Sequence, residues 1–215
     1  MTPAIPSATL IANPLATMIR AGDLTPEALC PLPQHLDELV SANFASATLM
    51  LQRHRGSPLA SFYKGNVAVE QEAHQLLTPL LQAFKLTRDG SASFDALALA
   101  YPGLIARIAV SGTPWDYPVA FLHLCRPSTL NYLQLHEALS ATGAFSELEL
   151  EHFAFFGHIE DEEIATVQQL VTDAPADALG RAYALAQQLA TLEQVFWERM
   201  VVLCTAKGAT SDRPS

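Results

Sequence analysis

With 215 residues, half of them apolar and only 16% charged, the chain has the material for one large buried core and little polar surface to cover it, which predicts a single domain and a homodimer face. The net charge of -10, with 12 scattered Lys and Arg, excludes nucleic acid and an anionic membrane surface as expected partners, because binding phosphates needs clustered cations. The longest apolar run, near residues 96–106, is interrupted by Pro102 and followed by Arg107, short of the roughly 18 residues that span a bilayer.

The N-terminus has no basic segment ahead of an apolar one, so no secretory signal is expected. Cys30, Cys125 and Cys204 form no CxxC pair and are odd in number, which fits a reducing compartment. The expected location is cytoplasmic.

Taken in order, residues 1–7 carry two prolines and are expected to be loose. Asn13-Pro14 starts a short helix, with Asn as cap and proline in the first turn. Thr25-Pro26-Glu27 repeats that signal, with Glu27 complementing the helix dipole. Pro31 and Pro33 are expected to interrupt the chain after that start, and a longer helix is predicted from Gln34 to His54 with Leu36, Leu39, Val40, Phe44, Ala47 and Leu51 on its apolar face. From Leu59 to Phe84 the period is again helical, with a kink expected at Pro79; residues 87–93 form a polar loop, and residues 94–110 are helical but divided at Pro102-Gly103.

A long helix is predicted from Pro114 to Leu139, kinked by Pro127. Ser146 and Glu149 form a capping box for a helix running to about Thr172, and a last helix spans Pro175 to about Cys204. Period-two strand patterns are lacking. The fold class is therefore all-α, a bundle of six or seven helices over residues 1–206, with a disordered tail at 207–215.

Phosphate loops, hydrolase elbows and zinc-knuckle spacings are also lacking. The chemistry that remains is His paired with carboxylate. Glu70/His74 and His158/Glu162 are each four apart, so each pair shares a face if its segment is helical, and together they are candidate metal ligands. The bland reading makes them surface residues or satisfied core histidines. His123 and Arg126 are three apart beside Pro127; a guanidinium inside a bundle needs a carboxylate partner or an anionic ligand, so both are candidate substrate-binding residues. Cys125 is a nucleophile only if its thiolate is stabilised. The aromatic residues Trp115, Tyr117, Tyr132, Phe155, Phe156 and Trp197 are expected in the core.

The residues also carry a family resemblance. Gly22-Asp23-Leu24-Thr25-Pro26-Glu27-Ala28-Leu29 resembles an early helix start of the haem-oxygenase-like di-iron oxidases and oxygenases, the branch that includes the chlamydial death-domain-associated protein. The segment from Glu70 to Phe84 is similar to that family's first ligand helix, and His152 to Leu170, with Ala174-Pro175 after it, to its last. The resemblance implies a haem-oxygenase-like helical bundle, with Glu70, His74, His158 and Glu162 as ligands to one or two irons and dioxygen as co-substrate. It also shows departures. Thr166 stands where the family has a histidine, and Arg126 where it has a glutamate.

The leading expectation is an oxidoreductase acting on a small carboxylate-bearing or aromatic metabolite, with His158 and Glu162 catalytic and Arg126 and His123 holding substrate. One alternative is a metal-free enzyme, like the thiaminase-II and pyrroloquinoline-quinone synthase relatives, using acid-base chemistry on a heterocycle. The other is a non-catalytic partner subunit, whose cavity would be filled with apolar side chains.

Overall fold

A computed structural model describes residues 5–87 and 94–211. Among them are nine α-helices, one 3₁₀ turn and no strand. Residues 88–93 of the polar loop expected at 87–93 and the ends of both termini lie outside the described residues.

Helix α1 (Pro14–Ala21) begins where Asn13 accepts hydrogen bonds from the backbone N–H groups of Leu15 and Ala16, at 3.0 and 3.1 Å. It ends at Gly22, whose φ of 75° is the left-handed conformation that closes helices and favours glycine. Thr25 caps a 3₁₀ turn, Pro26–Leu29, that goes no further because α2 (Pro31–His54) starts immediately after it. Pro31 and Pro33 do not interrupt α2 as expected. They occupy its first turn, where a missing N–H leaves no helical bond unmade.

The expected kink at Pro79 is a break: α3 (Ala60–Leu76) ends before Leu77, and α4 (Thr78–Ala83) restarts with Pro79 near its beginning. Likewise Pro102 and Gly103 sit in the first turn of α5 (Ala100–Ser111) and do not divide it. Helix α6 (Asp116–Thr142) runs through Pro127 to Gly143, again at positive φ. The capping box at Ser146 and Glu149 opens α7 (Glu147–Phe156), after which come α8 (Asp161–Leu170) and α9 (Ala176–Ser211). Residues 207–211, expected in a disordered tail, are the end of α9.

Helices α6 and α9 lie along one another, α2 packs on α3 and α5, and α7 covers α6. Three apolar clusters hold these contacts. One joins Leu36, Leu135, Phe153, Phe196 and Met200; the second joins Met50, Tyr63, Ile105 and Leu189; the third, smaller, joins Val119, Val167 and Ala182. Asp116, fully buried at the start of α6, fastens that helix to α9: it accepts from the Thr113 backbone and hydroxyl and from Arg181 at 2.7, 2.9 and 2.6 Å. No helix among the described residues is long and apolar enough to cross a membrane.

Candidate active site

Between these clusters lies a cavity of about 700 Å³. Helices α2, α3, α5, α6 and α9 each turn polar side chains into an otherwise apolar wall: Asn43, Glu70, Tyr101, Ser128 with Tyr132, and Glu193. Lys and Arg do not line it among the described residues.

Two of these groups are buried carboxyls. Glu193 is 8% exposed, and its two oxygens are held separately: the Ser128 hydroxyl donates to Oε2 at 2.6 Å, and the Asn131 amide donates to Oε1 at 3.1 Å. Burial raises its pKa, partly opposed by those two hydrogen bonds, which favour the charged form. Glu70 is 6% exposed, and burial alone pushes its carboxyl up from 4.5 to about 8. Both acids are thereby moved toward neutral pH, where a carboxyl can give as well as take a proton.

Around them stand Tyr101, Tyr117 and Tyr132, whose phenols burial raises above their ordinary value, so they are neutral donors and acceptors. Tyr132 packs against Phe156 and edge-on to Trp197, with ring centroids 5.0 and 5.5 Å apart. Asn43 Oδ1 is buried at the wall without a hydrogen-bond partner. A polar end left unpaired in a dry wall is the feature a ligand donor would satisfy.

Cys125 lines the same cavity one turn from Ser128 on α6. Its thiol donates to the Leu122 carbonyl at 3.7 Å, and burial raises its pKa, so at rest it is a thiol.

The residues singled out in the sequence are dispersed. Their central stretch, residues 155–166, is not one helix: α7 ends at Phe156 and α8 begins at Asp161, so His158 and Glu162 do not share a helical face. The break has a physical cause at Gly157. Its N–H closes α7 on the Phe153 carbonyl, and a Cβ there would lie 2.8 Å from that oxygen and 3.2 Å from Leu133 Cα on α6. The chain passes too close to α6 for a side chain, and Asp161, Glu162 and Glu163 then favour a fresh helix N-terminus.

His158 lines the cavity only at its rim, 72% exposed and 2.7 Å from Glu160. Glu162 is exposed and outside the cavity wall. Of the first pair, Glu70 faces the cavity, whereas His74 lies 3.3 Å from both Asp37 and Ser41 on α2. Arg126 is 53% exposed and binds Asp161 at 2.7 Å, away from the cavity lining. His123 is buried on the other side of α6, its ring N–H donating to the Pro6 carbonyl.

The structure thus brings only Glu70 and His158 of the expected ligands to one cavity. Among the described residues there is no group of three or more His, Cys, Asp and Glu side chains able to hold a metal ion. The donor set does not fit the iron that the family resemblance implies.

The strongest site residue, Glu193, was not among the sequence candidates. Its signal was a carboxylate set between Leu189 and Trp197 at four-residue spacing, on the stripe of α9 that otherwise faces the core.

No family model matches the chain, and no curated protein sequence matches it significantly. The X-ray structure of a TenA homologue from Pyrococcus furiosus superimposes with a TM-score of 0.62 over 87% of this chain and 90% of that one, at 13% identity. The fold is TenA-like. It is the haem-oxygenase-like helical bundle, and in this TenA-like frame the cavity lies where α2, α3, α5, α6 and α9 converge.

Proposed function

We propose that the chain is a metal-independent enzyme that performs acid-base chemistry on a small aromatic heterocycle held in the central cavity. The observation that carries this reading is Glu193, a buried carboxyl fixed from two sides at the wall of a cavity large enough for a heterocyclic metabolite. The TenA-like fold supports it, and so does the wall. The tyrosines, Phe156 and Trp197 offer aromatic surface to a planar ring, and Asn43 offers an acceptor to a ring N–H or amino group.

Charge sharpens the ligand class. With Arg126 turned to Asp161, no cation among the described residues stands ready for a carboxylate, and the ionisable groups at the wall are acids apart from His158 and the neutral phenols and thiol. A neutral or cationic ring is favoured over an anionic one.

Glu193 supplies the proton in one direction and takes it back in the other. Cys125, close to Ser128 on the same helix, lines the same wall as a neutral thiol. The reading of a non-catalytic subunit predicts a cavity packed with apolar side chains. This wall carries two carboxyls instead.

The test is a thermal-shift and calorimetry series on pyridines, pyrimidines and quinolines, each as a neutral and a carboxylated form of the same ring. Neutral rings are expected to stabilise the protein and carboxylated ones not to. A consistent preference for the carboxylated members sinks the charge argument. Turnover of a binding ring by Glu193→Gln at the wild-type rate sinks the acid-base role.

A further inference from the structure

A second cavity of about 380 Å³ lies on the far side of Glu193. Leu124, Glu193 and Trp197 belong to the walls of both cavities, so the carboxyl stands in the partition between them. Its two hydrogen-bond partners divide accordingly. Ser128, on Oε2, lines the main cavity, whereas Asn131, on Oε1, lines the second. The remaining wall of the second cavity mixes polar side chains, Thr9, Gln187, Thr191 and Gln194, with apolar ones such as Ile11 and Ala190, and the space has room for several water molecules at about 30 Å³ each.

Its roof is the extended segment ahead of α1, and a proline explains why the segment lies there. Pro127 has no N–H, so the carbonyl of His123 one turn earlier receives no helical donor. The backbone N–H of Ala8 donates to it instead, at 2.8 Å. The His123 ring donates to the Pro6 carbonyl beside it, and Asn13 N–H donates to Gln134 Oε1 at 2.7 Å at the other end of the strap. The missing hydrogen bond in α6 is therefore an anchor for residues 6–13.

We propose that the second cavity is the solvent port of Glu193, through which the carboxyl exchanges its proton with bulk water while the main cavity is closed by substrate, and that the strap of residues 6–13 controls its opening. An acid that protonates a bound ring becomes a carboxylate and must recover one proton before the next turnover. With the ring filling the main cavity, the face toward Asn131 is the side left open to water. The proton passes from water in the second cavity to Oε1, and hydroxide is neutralised by the bulk. His123 and Tyr183 are the other titratable groups lining that cavity.

The inference rests on Glu193 as the catalytic acid, and the test separates the two. The protonated carboxyl of Glu193 is identified by infrared spectroscopy as the C=O band lost in Glu193→Gln, and its shift is timed after transfer to D₂O of protein saturated with a ring that binds in the thermal-shift series. Ala190→Leu places a larger side chain in the second cavity, and Ala120→Leu does the same in the main one. Ala190→Leu is expected to slow exchange by about tenfold or more, with Ala120→Leu within about twofold of wild type. Deleting residues 1–9 removes the anchored part of the roof, with the Pro6 and Ala8 contacts, without adding bulk and is expected to speed exchange.

Unchanged exchange in both Ala190→Leu and the deletion overturns the port, as does slowing in Ala120→Leu alone. Absence of any Glu193-dependent band near neutral pH overturns the acid itself.

Discussion

Glutamates line both the depth and the rim of the main cavity, and the two groups differ in surroundings more than in kind. In the depth, Glu70 and Glu193 are buried among tyrosines and Trp197, and burial raises both carboxyls. At the rim, Glu72, Glu151, Glu160 and Glu163 are exposed, with Glu160 engaged by His158, and just outside them Arg126 meets Asp161 in solvent. Water screens and solvates the rim charges, while in the depth burial disfavours the charged form, because ionising a carboxyl there means charging a dry wall. The sequence pattern of alternating His, Glu and Arg drew attention to the rim. The buried carboxyls are residues with no charged side chain directly beside them in sequence.

The largest test of this contrast is catalytic. Glu193→Gln keeps the shape and the Asn131 and Ser128 neighbours but cannot transfer a proton, so kcat is expected to fall by about 10²–10⁴-fold with ring binding retained. His158→Ala and Glu160→Ala at the rim are expected to change kcat by less than about threefold in the same assay. Equal losses at both places would erase the distinction.

Next in size is the pH dependence of stability. Glu70 titrates at about 8 in the fold against 4.5 ordinarily, so the native state holds the proton more tightly than the unfolded chain. Its contribution is complete below about 4.5 and is lost as pH rises toward 8, at up to about 1.4 kcal/mol per pH unit. Glu70→Gln is expected to flatten that decline in urea unfolding between pH 5 and 8. A slope equal to wild type would place Glu70 in water.

His152 provides the opposite sign. It is fully buried, its ring N–H donates to the Ala73 carbonyl at 3.0 Å, and burial lowers its pKa from 6.5 to about 4. The stability it contributes is complete above 6.5 and is lost as pH falls through 4, and His152→Gln is expected to flatten that acid limb by a comparable slope.

The smallest effect is Arg126→Ala. It breaks an ion pair whose partners are 53% and 86% exposed, and chemical denaturation is expected to register about 0–1 kcal/mol. A loss of several kcal/mol would mean the arginine is structural in a way its exposure does not allow.

How much of this was legible depends on the range of the interactions. Asn13, Gly22, Gly143 and the Ser146/Glu149 box act on backbone within a few residues, and each closes or opens its helix as its local chemistry dictates. The all-α bundle comes from the helical period of the long segments. The division of residues 147–170 cannot be read from local pattern, because its cause is Leu133 on α6, brought against Gly157 by packing. The same limit applies to the site: Glu162 looks inward only if residues 155–166 are one helix, and the break turns it outward, while Arg126 lies on an unbroken α6 and meets Asp161 in solvent. Glu193 was readable in principle, as a lone carboxylate on the apolar stripe of α9, but nothing local said whether a cavity or a salt bridge awaited it.

The buried Asp116 has a consequence for synthesis. Its carboxylate is fastened by Arg181, which leaves the ribosome 65 residues later. Until α9 emerges, the start of α6 carries a charge that cannot be enclosed without its partner, so the nascent chain keeps that end open to water. The last helix is then the one whose arrival allows the bundle to close, and a chain stalled before Arg181 is expected to remain susceptible to protease around Thr113 and Asp116.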